Sequence, residues 1–272
     1  MFTVVAGAGY TGLRVLQQLP RHDALGLSRS AIDSDRPFEQ VDFDALEALP
    51  VQLPEDYAVL YTCPPDGDVD ARLRRFVAAL PHEPARFVYI STTGVYGDCR
   101  GAVVNEDTPV NPGSRMSKPR VDAEDFLRSW TRRLVILRVP GIYGPGRLGI
   151  RRLQAGEASL RESEANPGNR IHVDDLVACC LAALSPGTPA GVYNVGDGDH
   201  RSATWFAREV ASQAGLAPPR EISRALAAQE FSPMRLAFLA SSRKVDTTRM
   251  REVLGVQPMT PEEGIGRSLA AE

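Results

Sequence analysis

The chain opens on a short apolar run, Phe2 to Ala6, that breaks at Gly7 and gives way to a different rhythm. Leu13, Val15, Leu16 and Leu19 then recur at helical spacing until Pro20. The first pattern predicts a strand, and the second an amphipathic helix packed against it. This alternation repeats through the first half of the chain. Ala24–Leu27, Phe38–Phe43, Tyr57–Thr62, Arg86–Ile90 and Leu134–Leu137 read as further strands. Asp68 reads as the N-cap of a helix running to Leu80, and Pro119–Trp130 as a helix with proline in its first turn. Strands that alternate with helices predict an α/β fold with a doubly wound parallel sheet. From about Arg147 the strand signals thin out. Ala155–Asn169 is polar, whereas Leu176–Leu184, Thr204–Ala214 and Val245–Leu254 carry helical patterns.

The break after the first strand has a specific form, Gly7-x-Gly9-x-x-Gly12, leading directly into the helix. Gly7 allows a tight turn, Gly9 lets backbone N–H groups approach a pyrophosphate, and Gly12 lets helix and strand pack closely. The helix N-terminus adds unpaired N–H groups and a partial positive charge. This context predicts dinucleotide binding, with Tyr10 and Thr11 in the same cofactor-facing turn. At the end of the second strand, where an NAD-binding fold places an acid on the ribose 2′-OH, stand Ser28, Arg29 and Ser30. An arginine suits a 2′-phosphate, so NADP(H) is favoured over NAD(H).

Residues 1–146, rejoined by 171–196, then read as a Rossmann-type dinucleotide-binding domain. Residues 147–170 and 197–272 read as a small, mostly helical substrate lobe over the C-terminal edge of the sheet, where open α/β sheets bind ligands.

Composition narrows the alternatives. A net charge of −3 over 272 residues gives no electrostatic reason for a nucleic-acid or anionic membrane partner. No uninterrupted apolar window is long enough for a membrane span, and the N-terminus has no leader pattern, so a cytoplasmic location is expected. Cys63, Cys99, Cys179 and Cys180 lack metal-ligand spacing, and no metal is expected.

Several segments together resemble the extended and atypical short-chain dehydrogenase/reductase family, the group of NAD(P)-dependent epimerases and dehydratases. They are the glycine turn, Ser91-Thr92-Thr93-Gly94-Val95-Tyr96-Gly97, Gly141-Ile142-Tyr143-Gly144-Pro145-Gly146, Arg170-Ile-His172-Val-Asp174-Asp175 and Tyr193-Asn194-Val195-Gly196. The resemblance implies that Asp42 and Phe43 meet the adenine and that Cys63 and Pro64 line the cofactor trough. It places Val139, Pro140 and Gly141 against the nicotinamide. Thr92 matches the family's catalytic hydroxyl, and Arg170-x-His172 helps to close the substrate pocket; a buried structural role for His172 stands beside that. Asp174 reads as an N-cap. A homodimer is common among relatives and compatible with this chain.

One family feature is missing. The family's proton transfer uses Tyr-x-x-x-Lys, and none of the seven tyrosines here has lysine four residues on. Alignment on Glu124 puts Met116 at the tyrosine position and Arg120 at the lysine position. Arg120 can hold a ribose, but a thioether transfers no proton. Three substitutes carry the right chemistry: Ser114 with Lys118, Tyr96 or Tyr143, and Glu106 or Asp107. Two functions follow. One is an NADP(H)-binding oxidoreductase or epimerase/dehydratase-like protein, acting on a small hydroxyl or carbonyl substrate (a nucleotide sugar among them) with a non-tyrosine proton donor. The other is a non-catalytic NADP(H)-binding redox sensor.

Overall fold

Apolar runs that must hide two faces need cover on both sides, and the fold provides it. The computed structural model describes residues 1–67 and 69–272. In chain order the elements are β1 (Phe2–Ala6), α1 (Tyr10–Gln18), β2 (Ala24–Ser28), β3 (Phe38–Gln40), β4 (Tyr57–Tyr61), α2 (Ala71–Ala78) and β5 (Arg86–Thr92). Next come β6 (Val103–Val104), α3 (Lys118–Trp130), β7 (Leu134–Val139), β8 (Gly141–Tyr143), α4 (Ile150–Gln154), β9 (Ser159–Leu160) and β10 (Arg170–His172). The chain continues with α5 (Val173–Leu184), β11 (Gly191–Asn194), α6 (Ala203–Gln213), β12 (Glu221–Ile222) and α7 (Arg224–Glu230). It ends with α8 (Pro233–Leu239), β13 (Lys244–Val245) and α9 (Pro261–Leu269).

Seven strands form one parallel sheet in the order β11-β7-β5-β4-β1-β2-β3. On one face α1 and α5 bury Val15, Leu16, Leu176 and Cys180 against Val5, Leu60, Val88 and Leu137. On the other, α2 and α3 bury Leu73, Phe76 and Leu127 against Val4, Val59, Tyr61 and Phe87. Double cover explains why β4 and β7 are continuous apolar runs. The strand order reverses between β1 and β4, so a crevice opens where those two strands end.

Element bounds differ from the sequence expectation for identifiable reasons. The expected cap Asp68 lies outside the described residues. The side chain of Asp70 caps α2, accepting from the Leu73 N–H at 3.1 Å. The third strand stops at Gln40, so Asp42 lies beyond it, exposed, with its carboxylate accepting from the Asp44 N–H. Helix α5 starts at Val173 because His172, not Asp174, caps it: Nδ1 accepts from the Asp174 N–H at 3.1 Å. Val245–Leu254 is not one helix. Val245 pairs with Val104 in a two-residue ladder, and only Met250–Leu254 closes a wide helical turn. Helices α7, α8 and α9 have no counterpart in the sequence expectation, although Ser223, Ser232 and Thr260 cap them.

Candidate functional site

A cleft of about 520 Å³ lies along the C-terminal ends of β1, β2, β4, β5 and β7. The glycine turn forms one end of it. Gly7 sits at φ +98°, a conformation that side chains resist, and the Thr62 hydroxyl donates to its carbonyl at 2.6 Å. A Cβ on Gly12 would stand 2.3 Å from the Gly7 oxygen, so the third glycine works from beneath the turn and does not line the cleft. A Cβ on Gly9, by contrast, would meet nothing within 4 Å. No side chain caps the N-terminus of α1, which leaves its first-turn N–H groups open. Open space, free N–H groups and a helix start form a cradle that fits a pyrophosphate.

Gly7, Gly9, Tyr10, Thr11, Ser28, Arg29, Phe43, Cys63, Pro64 and Pro140 all line this cleft. Asp42 does not, because its exposed side chain turns to the Asp44 backbone. Arg29 is exposed and forms no ion pair with a described residue. Cys63 is a wall rather than a nucleophile: burial pushes its thiol up to about 12.

Among the lining residues that escaped the sequence expectation are Thr62, Arg72 and Arg147. Thr62, at the end of β4, fixes the glycine turn. Arg72 is buried, and its guanidinium makes a two-pronged bond to Asp44 at 2.8 Å and donates to the Pro64 carbonyl, so it holds the Cys63–Pro64 wall. Arg147 lies 3.7 Å over the Tyr10 ring, whose hydroxyl donates to the Pro145 carbonyl at 3.0 Å. Arg147 follows a glycine-rich turn, Gly144-Pro145-Gly146, and that is the signal the sequence offers for it. Arg29, Arg72, Arg120 and Arg147 line the cleft, and no carboxylate does so among the described residues.

Thr92 and Arg120 lie at the other end. Thr92 closes β5, opposite Val139 of β7. Its Oγ1 accepts from the Gly94 N–H at 3.1 Å, and its own proton has no acceptor among the described residues. One arm of Arg120 donates to the Ile90 carbonyl at 2.6 Å and to the Tyr89 hydroxyl at 3.1 Å. The guanidinium is thus pinned to the end of β5, where Arg120 lines the cleft.

The tyrosine position is different. Met116 is 62% exposed and is not a lining residue. None of the three candidate substitutes lines the cleft either. Ser114 bonds Ser117 at 2.9 Å, while Lys118 is exposed at the start of α3. The buried Tyr96 hydroxyl donates to Asn194 at 2.7 Å. Tyr143 packs edge-on against the rings of His172 and Phe206. Glu106 accepts from the Asn194 N–H, and the exposed Asp107 pairs with Arg249.

His172 is structural as well as buried. Ser268 donates to the Gly264 carbonyl, so its oxygen accepts from His172 Nε2–H, while Nδ1 caps α5. That arrangement holds the neutral ring, and burial lowers its pKa. Among the described residues no group of His, Cys, Asp and Glu could hold a metal ion, and no helix is long and apolar enough to cross a membrane.

Residues 68–196 match the sequence model of the NAD dependent epimerase/dehydratase family. The chain is similar to Protein YeeZ of Escherichia coli K12, with 31% identity over 53% of this chain and 51% of that protein. It is similar to a UDP-glucose 4-epimerase of Mycolicibacterium smegmatis, with 30% identity over 68% of this chain and 61% of that enzyme. The chain therefore spans about half, and a little over half, of the length of these relatives. A functionally unknown conserved protein from Silicibacter pomeroyi superposes with a TM-score of 0.83 at 26% identity, with both chains fully covered. A human epimerase family protein, solved with NADPH, shares the fold at a TM-score of 0.78 and 20% identity, covering 100% of this chain and 98% of its own.

Proposed function

We propose that the chain, whose residues 68–196 match the NAD dependent epimerase/dehydratase family, is an NADP(H)-dependent oxidoreductase acting on a hydroxyl or carbonyl group of a small molecule. One observation carries this reading: a single cleft runs from the uncapped start of α1 to Thr92 and is lined by four arginines and, among the described residues, no carboxylate. In this reading residues 1–146 with 171–196 hold the cofactor, and 147–170 with 197–272 hold the substrate.

The α1 N-terminus and the Gly9 opening receive the pyrophosphate. Arg29, with the hydroxyls of Ser28 and Ser30, receives the 2′-phosphate, since a planar guanidinium matches phosphate geometry. Phe43, Cys63 and Pro64 wall the adenosine side, and Pro140 the nicotinamide side. When bound, the nicotinamide supplies or accepts a hydride. The Thr92 hydroxyl, already accepting from Gly94, donates its free proton to the substrate oxygen and orients it. Arg120 places positive charge where that oxygen gains negative charge. No described lining residue is a carboxylate, lysine or histidine, and Tyr10 is committed to Pro145. Proton exchange therefore runs through solvent at the open cleft, with Thr92 as the contact to substrate.

The test is transfer of deuterium from 4-deuterated NADPH into alcohol products. The panel should contain aliphatic and aromatic ketones and, because a relative bears the name UDP-glucose 4-epimerase, nucleotide sugars. Deuterium in a product supports the oxidoreductase. The same absence of an acid–base group favours a second reading, a non-catalytic redox sensor. It predicts no turnover across the panel and unequal affinity for NADP+ and NADPH, because a ligand shifts only the states it binds differently.

A further inference from the structure

The four arginines that line the cofactor cleft are not equivalent. Arg72 is bonded to Asp44 and to the Pro64 carbonyl, and Arg120 to the Ile90 carbonyl and the Tyr89 hydroxyl. Arg29 and Arg147 are exposed, and neither guanidinium has a hydrogen bond or ion pair to a described residue. These two free cations stand at different places. Arg29 directly follows β2, whereas Arg147 lies 3.7 Å over the ring of Tyr10, the first residue of α1.

The turn that carries Arg147 is fastened to Tyr10. The Tyr10 hydroxyl donates to the Pro145 carbonyl at 3.0 Å, and Gly144 comes so near that a Cβ on it would stand 2.6 Å from the same hydroxyl oxygen. The Gly146 N–H donates to the Glu272 carboxylate at 2.9 Å, and the Arg147 N–H closes the turn on the Gly144 carbonyl at 2.9 Å. Arg14 also lies against the Tyr10 ring, at 4.1 Å, but its guanidinium donates to the Tyr10 carbonyl and it does not line the cleft. Tyr10 therefore holds one free cation beside the uncapped N–H groups of α1. A helix start offers a pyrophosphate N–H donors and only a partial positive charge, against two full negative charges. A guanidinium adds a full charge, with planar donors that match phosphate oxygens.

We propose that Arg147, positioned by Tyr10, binds the cofactor pyrophosphate and clamps it against the start of α1, while Arg29 takes the 2′-phosphate. Two free guanidiniums thus meet the two anionic parts of one dinucleotide. The place of Arg147 on Tyr10, away from Thr92 at the other end of the cleft, assigns it to the cofactor and not to the substrate oxygen. The assignment rests on the cofactor reading above. It does not depend on the choice of NADP(H) over NAD(H), because both carry the pyrophosphate.

The experiment measures NADPH and NADH binding by calorimetry and follows bound NADPH by phosphorus NMR, in which the pyrophosphate and the 2′-phosphate give separate signals. Arg147→Met keeps an apolar stem and drops the charge. It should weaken NADPH and NADH by the same factor, about tenfold, the order of a charge-assisted hydrogen bond at an exposed site. The pyrophosphate signals of bound NADPH should move from their wild-type positions while the 2′-phosphate signal stays, and Arg29→Glu should do the reverse. NADPH affinity should also fall less steeply with added NaCl in Arg147→Met, since one cation fewer meets the phosphates. Tyr10→Leu removes the ring and keeps the backbone N–H. It should weaken NADPH in the wild-type background and cost little more in Arg147→Met, as expected of a positioning residue. Cofactor affinities unchanged by Arg147→Met, or a loss of affinity with the pyrophosphate signals unmoved, overturn the clamp while wild-type binding leaves the cofactor reading intact. A wild-type protein that binds neither dinucleotide overturns both together.

Discussion

Glu124 of α3 and Arg138 of β7 form a two-pronged ion pair, 2.7 and 3.1 Å, with neither side chain more than 4% exposed. The same carboxylate accepts from the Ser91 hydroxyl at 2.6 Å, one residue before Thr92. Arg138 also donates to the Tyr96 hydroxyl, which donates on to Asn194. One buried network therefore ties α3, β5, β7 and the end of β11 beneath the site, and its worth depends on every member staying paired.

Removing Glu124 leaves the buried Arg138 charge uncompensated, whereas removing Arg138 leaves Glu124 its bond from Arg128 at 2.8 Å. Glu124→Ala should cost about 3 to 5 kcal/mol in urea unfolding, and Arg138→Ala less. The double variant should cost clearly less than the sum, because residues in one network are coupled. Additive losses would show that the pair is not linked.

Thr92→Val removes the hydroxyl that, in the proposed function, contacts the substrate oxygen. It should lower kcat by about 10²-fold, the order seen when one preorganised donor is lost, with NADPH affinity nearly unchanged. Thr92→Ser should restore most of the rate. Steady-state NADPH oxidation with any substrate found in the deuterium screen reads this out, and a rate independent of residue 92 would remove its role.

Asp197 follows β11 with one carboxylate oxygen bonded to the Asp199 N–H and the other buried without a partner. Burial pushes its pKa up to about 7, against the lowering effects of that N–H bond and of Arg170. The unfolded value is about 3.9, so the folded state holds this proton more tightly. The stability it contributes is complete below that unfolded value and is lost as pH rises through about 7. Asp197→Asn keeps the acceptor and drops the charge, so its advantage over wild type should grow from pH 5 to pH 8. Urea unfolding at both pH values measures it; an advantage that shrinks with pH would contradict the assignment.

Much of the frame was legible because a doubly covered parallel strand leaves one kind of trace. Phe2–Ala6 and Tyr57–Tyr61 have no room for polar side chains on either face, and the sequence shows it. The glycine turn was legible for the same steric reason. Arg72, Glu124 and Arg138 were not, since a buried arginine and a surface arginine look alike until the partner, 14 residues away for Glu124 and Arg138, is known. Helix α9 carried a readable signal that went unused: Thr260 and Glu263 satisfy each other's backbone N–H groups, the pattern of a capping box. Val245–Leu254 misled because apolar spacing alone does not separate a two-residue ladder from a helix, and the partner, Val103–Val104, lies far away in sequence.

In the proposed function Arg29 bears the cofactor preference. Arg29→Glu should weaken NADPH by about 10²-fold, the scale of charge-assisted bonds to a phosphate, and leave NADH within about twofold. Calorimetric titration of each cofactor separates the two, and equal losses for both would mean that residue 29 does not meet the 2′-phosphate.

The most direct single measurement is a crystal structure of the protein with NADPH. The account predicts the 2′-phosphate on Arg29, the pyrophosphate on the first turn of α1, and nicotinamide C4 beside Thr92 and Pro140, facing open space. A cofactor lying elsewhere, or one whose nicotinamide points away from Thr92 with its face covered by protein, would contradict it.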